Sequence, residues 1–245
     1  MCVQVHPYKL TNVFVDEAKR LVGSEVLIGS VQGLAKDKTK VSGVIVDGKV
    51  YPADVVIIAM GPWTFQAAQW LDIPAITSRR AHSIVMRLAE TDSDESSRSD
   101  VTAHCLFTDT EFAGKEKREP EVYPRPDGTV YACGFSDHVT LPVNAKDIAP
   151  DSNSCKKLKE ICGCISNVLA DAEVIAEQAC YLPTPQGHLP LIGRVPNMEN
   201  VYMASGHTCW GILNAPATGK ALTELIVDGQ CSLLDLAPFA PANFM

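Results

Sequence analysis

Near its C-terminal end the chain carries one stretch, residues 206–227, that reads GHTCWGILNAPATGKALTELIV. Just before it, Val201, Tyr202, Met203 and Ala204 form a short apolar run suited to a buried strand. Gly206 and Gly211 permit a tight turn and leave room for a ligand to approach the backbone. Asn214 suits a helix N-cap, and Pro216 suits a first helical turn. Ala217, Ala221, Leu222 and Leu225 then supply an apolar stripe; Gly219 allows close approach to a neighbour, and Gly229 ends the helix. A strand, a glycine turn and a helix N-terminus together present free N–H groups and a positive dipole end, which favour an anionic or electron-rich ligand. An ordinary strand-to-helix connection has the same local pattern, so both readings stand at this point.

Composition narrows the classes. The 245 residues suit one large domain or two small interleaved ones, and 46% hydrophobic content is enough to fill a core. A formal net charge of −8 argues against a general nucleic-acid surface, which needs clustered Lys and Arg. The 9 cysteines are odd in number and scattered, the pattern of reduced thiols in an intracellular compartment. The first residues, MCVQVH, lack a basic region followed by an apolar block, and no apolar run approaches the ~20 residues of a membrane span. The expectation is a soluble, cytoplasmic protein without nucleic-acid or membrane partners.

Taken in order, residues 6–21 place Leu10, Val13, Phe14, Ala18 and Leu21 on one helical face, with Gly23 as the stop. A strand is expected over 24–31. Residues 41–46 and 49–51 flank Asp47-Gly48, a clear hairpin signal. Val55 to Ala59 is a continuous, largely β-branched run suited to a parallel strand covered on both faces. Gly61-Pro62-Trp63 breaks it, and Thr64 is placed to cap a short helix over 65–71. A strand is expected over 82–86, an acidic exposed loop over 89–100, a returning strand over 101–107 and a charged excursion over 115–120. Residues 121–125 and 130–134 flank a second hairpin turn at Pro126-Asp127-Gly128. An amphipathic helix over 154–169 and strands over 173–181 and 189–192 complete the pattern.

The fold class this implies is mixed α/β and α+β, a partial Rossmann-like layer interleaved with an antiparallel sheet. The α/β part takes residues 1–75 and 183–245, and the mostly antiparallel part takes 76–182.

Three pieces in order carry a family resemblance: Val5-His6-Pro7 before a helix, DVVIIAMGPW at 54–63, and the block from Ser205 to Ile226. Together they resemble the FAD-dependent oxidoreductases of the D-amino-acid oxidase-like family over nearly the whole chain. The hairpin YPRPDG at 123–128 resembles that family's central sheet. The resemblance implies FAD as cofactor and hydride transfer from an amine or amino-acid-like small molecule. It implies that Gly61, Pro62 and Trp63 close over the flavin and that Val31 lies on the strand facing adenine. It also implies that Gly206, His207, Trp210, Gly211, Ile212 and Leu213 run along the isoalloxazine ring, where N–H donors stabilise reduced-ring charge.

Two departures accompany it. The family's opening G-x-G-x-x-G turn, which cradles the pyrophosphate, is found nowhere in these 245 residues. The expectation is a portion lacking the N-terminal βαβ unit, completed by that segment or by a protein partner, and binding FAD weakly by itself. In the stretch YLPTPQG at 181–187, Leu182 stands where amino-acid-oxidising members place a carboxylate-clamping arginine. Arg125 and Arg194 are the substitutes within the chain, though for each a surface or hairpin charge is the ordinary reading.

Catalytic candidates are His207, Tyr181 and Arg125, with Tyr123 a further pocket-lining candidate. Against each stands an ordinary role: a hydrogen-bonded histidine, core aromatics, a hairpin charge. His6 and His82 are expected to pack or cap. Cys155, Cys162 and Cys164 lack the second ligand pair a zinc site needs, and Cys209 is not singled out, so no metal is expected. The competing functional class is a non-catalytic relative that keeps the scaffold to bind another protein.

Overall fold

The structure, a computed structural model, describes residues 5–88, 104–112 and 116–245. The acidic run at 89–100 lies outside these, and the expected strand over 101–107 is described only from residue 104. The chain divides into two compact units: Arg79–Tyr181, and Val5–Ser78 together with Leu182–Met245.

The second unit opens with α1 (Pro7–Val22), which has proline in its first turn and ends at Gly23 with φ 68°. None of its residues is buried; of its apolar stripe Val13, Phe14 and Leu21 are exposed, and Leu10 and Ala18 are partly buried. The strand expected over 24–31 starts only where that segment would end. β1 spans Val31–Asp37 and pairs antiparallel with β2 (Lys40–Val46), from Val31 opposite Val46 to Asp37 opposite Lys40. Alternation alone does not make a strand; the ladder forms where β2 offers partners. β3 (Lys49–Pro52) closes the hairpin through Asp47 and Gly48, both at positive φ (49° and 77°) as a tight two-residue turn requires. β4 (Val56–Ile58) follows. A 3₁₀ segment then runs from Gly61 to Gln69, so Thr64 lies inside it rather than capping a helix that starts after it.

The other unit is built on a five-stranded sheet. Its elements are β5 (Ile76–Arg87), β6 (Leu106–Phe107), a small ribbon of β7 (Thr110–Phe112) and β8 (Glu116–Arg118), β9 (Glu121–Pro124) and β10 (Thr129–Asp137). They are followed by α2 (Ser152–Ile165), α3 (Asn167–Asp171) and β11 (Glu173–Pro185). The sheet order is β11-β5-β10-β9-β6; β5 and β11 each end in residues of the other unit. The charged excursion expected over 115–120 is therefore partly the β7–β8 ribbon. The single helix expected over 154–169 is two, because Ser166 is extended (φ −153°). Asp151 caps α2, accepting from the Ser154 N–H at 2.8 Å. Cys155, Leu158, Ile161 and Cys162 of α2 pack on Ile84, Met86, Val122, Val130 and Ala132 of the sheet. Burial raises the Cys155 and Cys162 thiols to about 11, as befits packing residues. His82 is buried on the same sheet, its Nε2 3.8 Å from Asp137, which Arg80 holds through two hydrogen bonds of 3.0 and 2.7 Å.

Returning to the second unit, β12 (Leu191–Arg194), β13 (Val201–Ser205) and α4 (Gly211–Val227) complete it. The sheet order is β12-β13-β4, with β13 parallel to β4 and antiparallel to β12. One face packs Ile58, Leu191, Val201 and Met203 in a core with Val41, Ala67 and Leu71. The other face packs Ile192 and Tyr202 against Leu222, Leu225 and Ile226 of α4. Each fully buried apolar side chain there contributes roughly 1.5–3 kcal/mol. β4 is an edge strand with Ile57 47% exposed, so its outer side has no strand partner among the described residues.

Asn200 staples the strands just before β13. Its Oδ1 accepts from the Val41 N–H at 2.9 Å, and its Nδ2 donates to the carbonyls of Val41 and Asp54, both at 2.7 Å. With Asn200→Ala these buried backbone groups lose their partners, and a loss of about 2–4 kcal/mol is expected. Urea unfolding followed by circular dichroism measures it; an unchanged midpoint would show that the staple is dispensable.

Candidate functional site

Parallel pairing puts the C-terminal ends of β4 and β13 side by side, with Val56, Ile57 and Ile58 opposite Val201, Tyr202 and Met203. In open α/β sheets that edge is where ligands lie. A buried triangle of oxygens ties the two ends together. Thr64 Oγ1 donates to the Gly61 carbonyl at 2.7 Å and lies 2.7 Å from Ser205 Oγ, which is 3.3 Å from the same carbonyl. Thr64 and Ser205 are almost completely buried. Neither was singled out as a site residue from sequence. The only local signal is a hydroxyl within three residues of a glycine at each apolar strand end.

The bend after β13 is committed at Gly206. Its φ is +84°, and a Cβ there would lie 2.5 Å from Cγ of Pro185, so glycine is required both for conformation and for space. A 3₁₀ turn over Thr208–Trp210 follows, with Thr208 at φ 52°, and runs directly into α4 at Gly211. The helix therefore starts earlier than Asn214. Asn214 is inside it, and Pro216 interrupts it rather than opening it. Gly219 faces open space, since a Cβ there meets nothing within 4 Å. The turn and first helical turn leave Trp210, Ile212 and Leu213 60%, 48% and 71% exposed. Three apolar side chains thus flank a helix N-terminus whose first N–H groups point along its positive end.

His207 is half-buried within this bend, and its Nε2 is 2.9 Å from Thr218 Oγ1 on α4. Burial holds its pKa below the usual imidazole value.

The remaining expected site residues are dispersed. Gly61 (φ +52°), Pro62 and Trp63 follow β4 and open the 3₁₀ segment, with the Trp63 N–H bonded to the Met60 carbonyl at 3.0 Å. Val31 is in the same unit but on the separate β1-β2-β3 sheet. Tyr181 and Arg125 belong to the other unit. Tyr181 is buried and donates to the Thr140 carbonyl at 3.1 Å. The Arg125 guanidinium lies 5.1 Å from the centre of the Tyr131 ring. Arg194 is held by Tyr202, donating to its hydroxyl at 3.2 Å. Among the described residues no three His, Cys, Asp or Glu side chains gather as a metal site. No helix among them is long and apolar enough to cross a membrane.

The sequence matches the family model described as FAD dependent oxidoreductase over residues 1–225. The chain belongs to that family. TDA3 of Saccharomyces cerevisiae is 29% identical over 275 residues, covering 97% of this chain and 50% of its own length. C1F5.03c of Schizosaccharomyces pombe is 31% identical over 246 residues, covering 92% of this chain and 60% of its own. The crystal structure of glycine oxidase from Bacillus cereus superposes with a TM-score of 0.69 at 20% identity, over 90% of this chain and 56% of that one. The family fold, with its mixed helices and largely antiparallel sheets, is thus established for the chain. The chain spans about half the length of the relatives it matches.

The lowered pKa of His207 has a definite sign. The unfolded chain takes up the proton near the ordinary value of about 6.5, above the folded one. Stability is therefore highest above that value and falls as pH drops below it toward the folded pKa. Urea midpoints compared at pH 7.5 and 5.5 should fall more steeply for the wild type than for His207→Gln. Parallel slopes would mean that the imidazole titrates alike in both states.

Proposed function

We propose that this chain forms the strand-end and sheet portion of a FAD-dependent oxidoreductase acting on an amine or amino-acid-like substrate. The observation that carries this is the shared edge where the ends of β4 and β13 meet the N-terminus of α4, with Trp210, Ile212 and Leu213 uncovered beside it. The glycine oxidase likeness supports the substrate class.

The residues fit one end of such a cofactor. Positive-φ glycines at both strand ends keep the backbone bare, and the exposed apolar side chains suit a planar ring. Gly61, Pro62, Trp63, Gly206, His207, Trp210, Gly211, Ile212 and Leu213 would hold that end, and Val31 the adenine side. For the diphosphate this chain has no G-x-G-x-x-G turn, so that grip must come from a further βαβ segment. A flavin held there would supply the hydride acceptor for oxidation at the carbon beside the substrate nitrogen. The chain's own share is to orient and to stabilise. The α4 N-terminus would favour negative charge on the ring, the apolar trio would be covered by it, and burial favours the neutral form of His207. The free thiols of Cys133, Cys155, Cys162, Cys164, Cys180, Cys209 and Cys231 suit a reducing, cytoplasmic setting.

The exposed apolar side chains of α1, Val13, Phe14 and Leu21 among them, favour a second reading, a non-catalytic relative that presents this stripe to a protein partner. One experiment separates the two. The visible spectrum of the purified chain is recorded with excess FAD, alone and after adding the N-terminal half of TDA3. Weak or absent flavin bands alone, and protein-bound bands with peroxide formation from an amine after the addition, are expected. No bound flavin in either mixture favours the non-catalytic reading.

A further inference from the structure

The sheet of the Arg79–Tyr181 unit has one face packed on α2, and its opposite face carries a polar and aromatic cluster that the flavin edge does not use. Strand register assembles it. Tyr131 pairs with Tyr123, Cys133 with Glu121, and Phe107 with Glu121 from the other side. The alternate residues Val122, Val130 and Ala132 are buried toward α2. The rings make a continuous aromatic wall: Phe107 meets Tyr123 edge-on at 5.8 Å between centres, and Tyr123 lies 6.0 Å from Tyr131.

Glu121 is the charge within this wall. Its Oε2 accepts from the Tyr123 hydroxyl and lies 3.8 Å from Cys133 Sγ. Neither partner neutralises it. Desolvation raises the Tyr123 phenol well above its ordinary value, and desolvation together with Glu121 raises the Cys133 thiol to about 12, so both stay protonated donors. Among the described residues Glu121 takes part in no ion pair. A half-buried carboxylate, fixed on one side by two neutral donors on a sheet face that also carries Phe107, Tyr123 and Tyr131, is complementary to an organic cation. Arg125 illustrates the affinity of the wall for positive charge, since its guanidinium rests on Tyr131.

We propose that Glu121, Tyr123 and Phe107 form a recognition site for an alkylammonium group, which makes the ligand class an amine entering as its cation. The inference rests on the oxidoreductase reading for its purpose but not for its test, which needs no flavin. With ¹³C-labelled tyrosine in the full chain, n-butylammonium chloride is titrated while tyrosine resonances are followed by NMR; sodium butyrate is the control. The Tyr123 signal is assigned from its loss in Tyr123→Phe. Saturable shifts of Tyr123 and Tyr131 with butylammonium, absent with butyrate, are expected. Glu121→Gln should weaken binding at least tenfold. Tyr123→Phe, which keeps the ring but frees Glu121, should weaken it at least threefold, as read from the Tyr131 signal. Equal shifts with both salts, or unchanged affinity in both variants, would overturn the site. Failure to bind FAD leaves this result standing, and a lost ammonium site leaves the flavin reading intact.

Discussion

The parallel pairing of β4 with β13 is the constraint on which the functional edge depends. Three residues of β4 have to lie beside a strand more than 140 residues later, and a parallel pair has no tight turn to enforce that. The protein holds the pair at both ends instead. Asn200 grips Val41 and Asp54 where the strands enter, and the Thr64, Ser205 and Gly61 oxygens close the exit. Because the exit is tied, the bend at Gly206 and the start of α4 emerge at a defined place beside Gly61.

Burial in this unit is one-sided. The two faces of the β12-β13-β4 sheet are filled, yet the outer edge of β4, the stripe of α1 and the first turn of α4 remain open. Exposed apolar surface on three elements is costly in water and is normally covered by another polypeptide or a ligand. Relatives roughly twice as long and an absent phosphate-cradling motif are in keeping with that. The sheet of the other unit solves a different problem, using helices to bury one face while a carboxylate and three aromatic rings occupy the opposite one.

Much of this was legible residue by residue. Asp47-Gly48 specified a hairpin because both positions need positive φ, and the structure has β2 and β3 on either side. The run around Val56 announced a parallel strand because it is apolar without alternation. The order of the Asp54–Trp63 and Ser205–Ile226 blocks led to the family that the match over residues 1–225 establishes. Residues 24–30 misled because their alternation has no partner strand, and residues 115–120 because charge does not forbid a short ribbon.

The sequence by itself determined the local choices: where the Asp47-Gly48 turn must take positive φ, which apolar runs become strands, and which segments share a family, although the expected two-sided cover of the run around Val56 is not met, Ile57 being 47% exposed. Tertiary structure alone decided where α4 begins, because the bend at Gly206 and the 3₁₀ turn over Thr208–Trp210 lead straight into the helix at Gly211, ahead of a good cap at Asn214. It alone turned Thr64 from an N-cap into a clasp with Ser205. It alone set Glu121 among Tyr123, Cys133 and Phe107. The physical reason is the same each time: cross-strand register and long-range hydrogen bonds join residues far apart in the chain, and no local propensity encodes those distances.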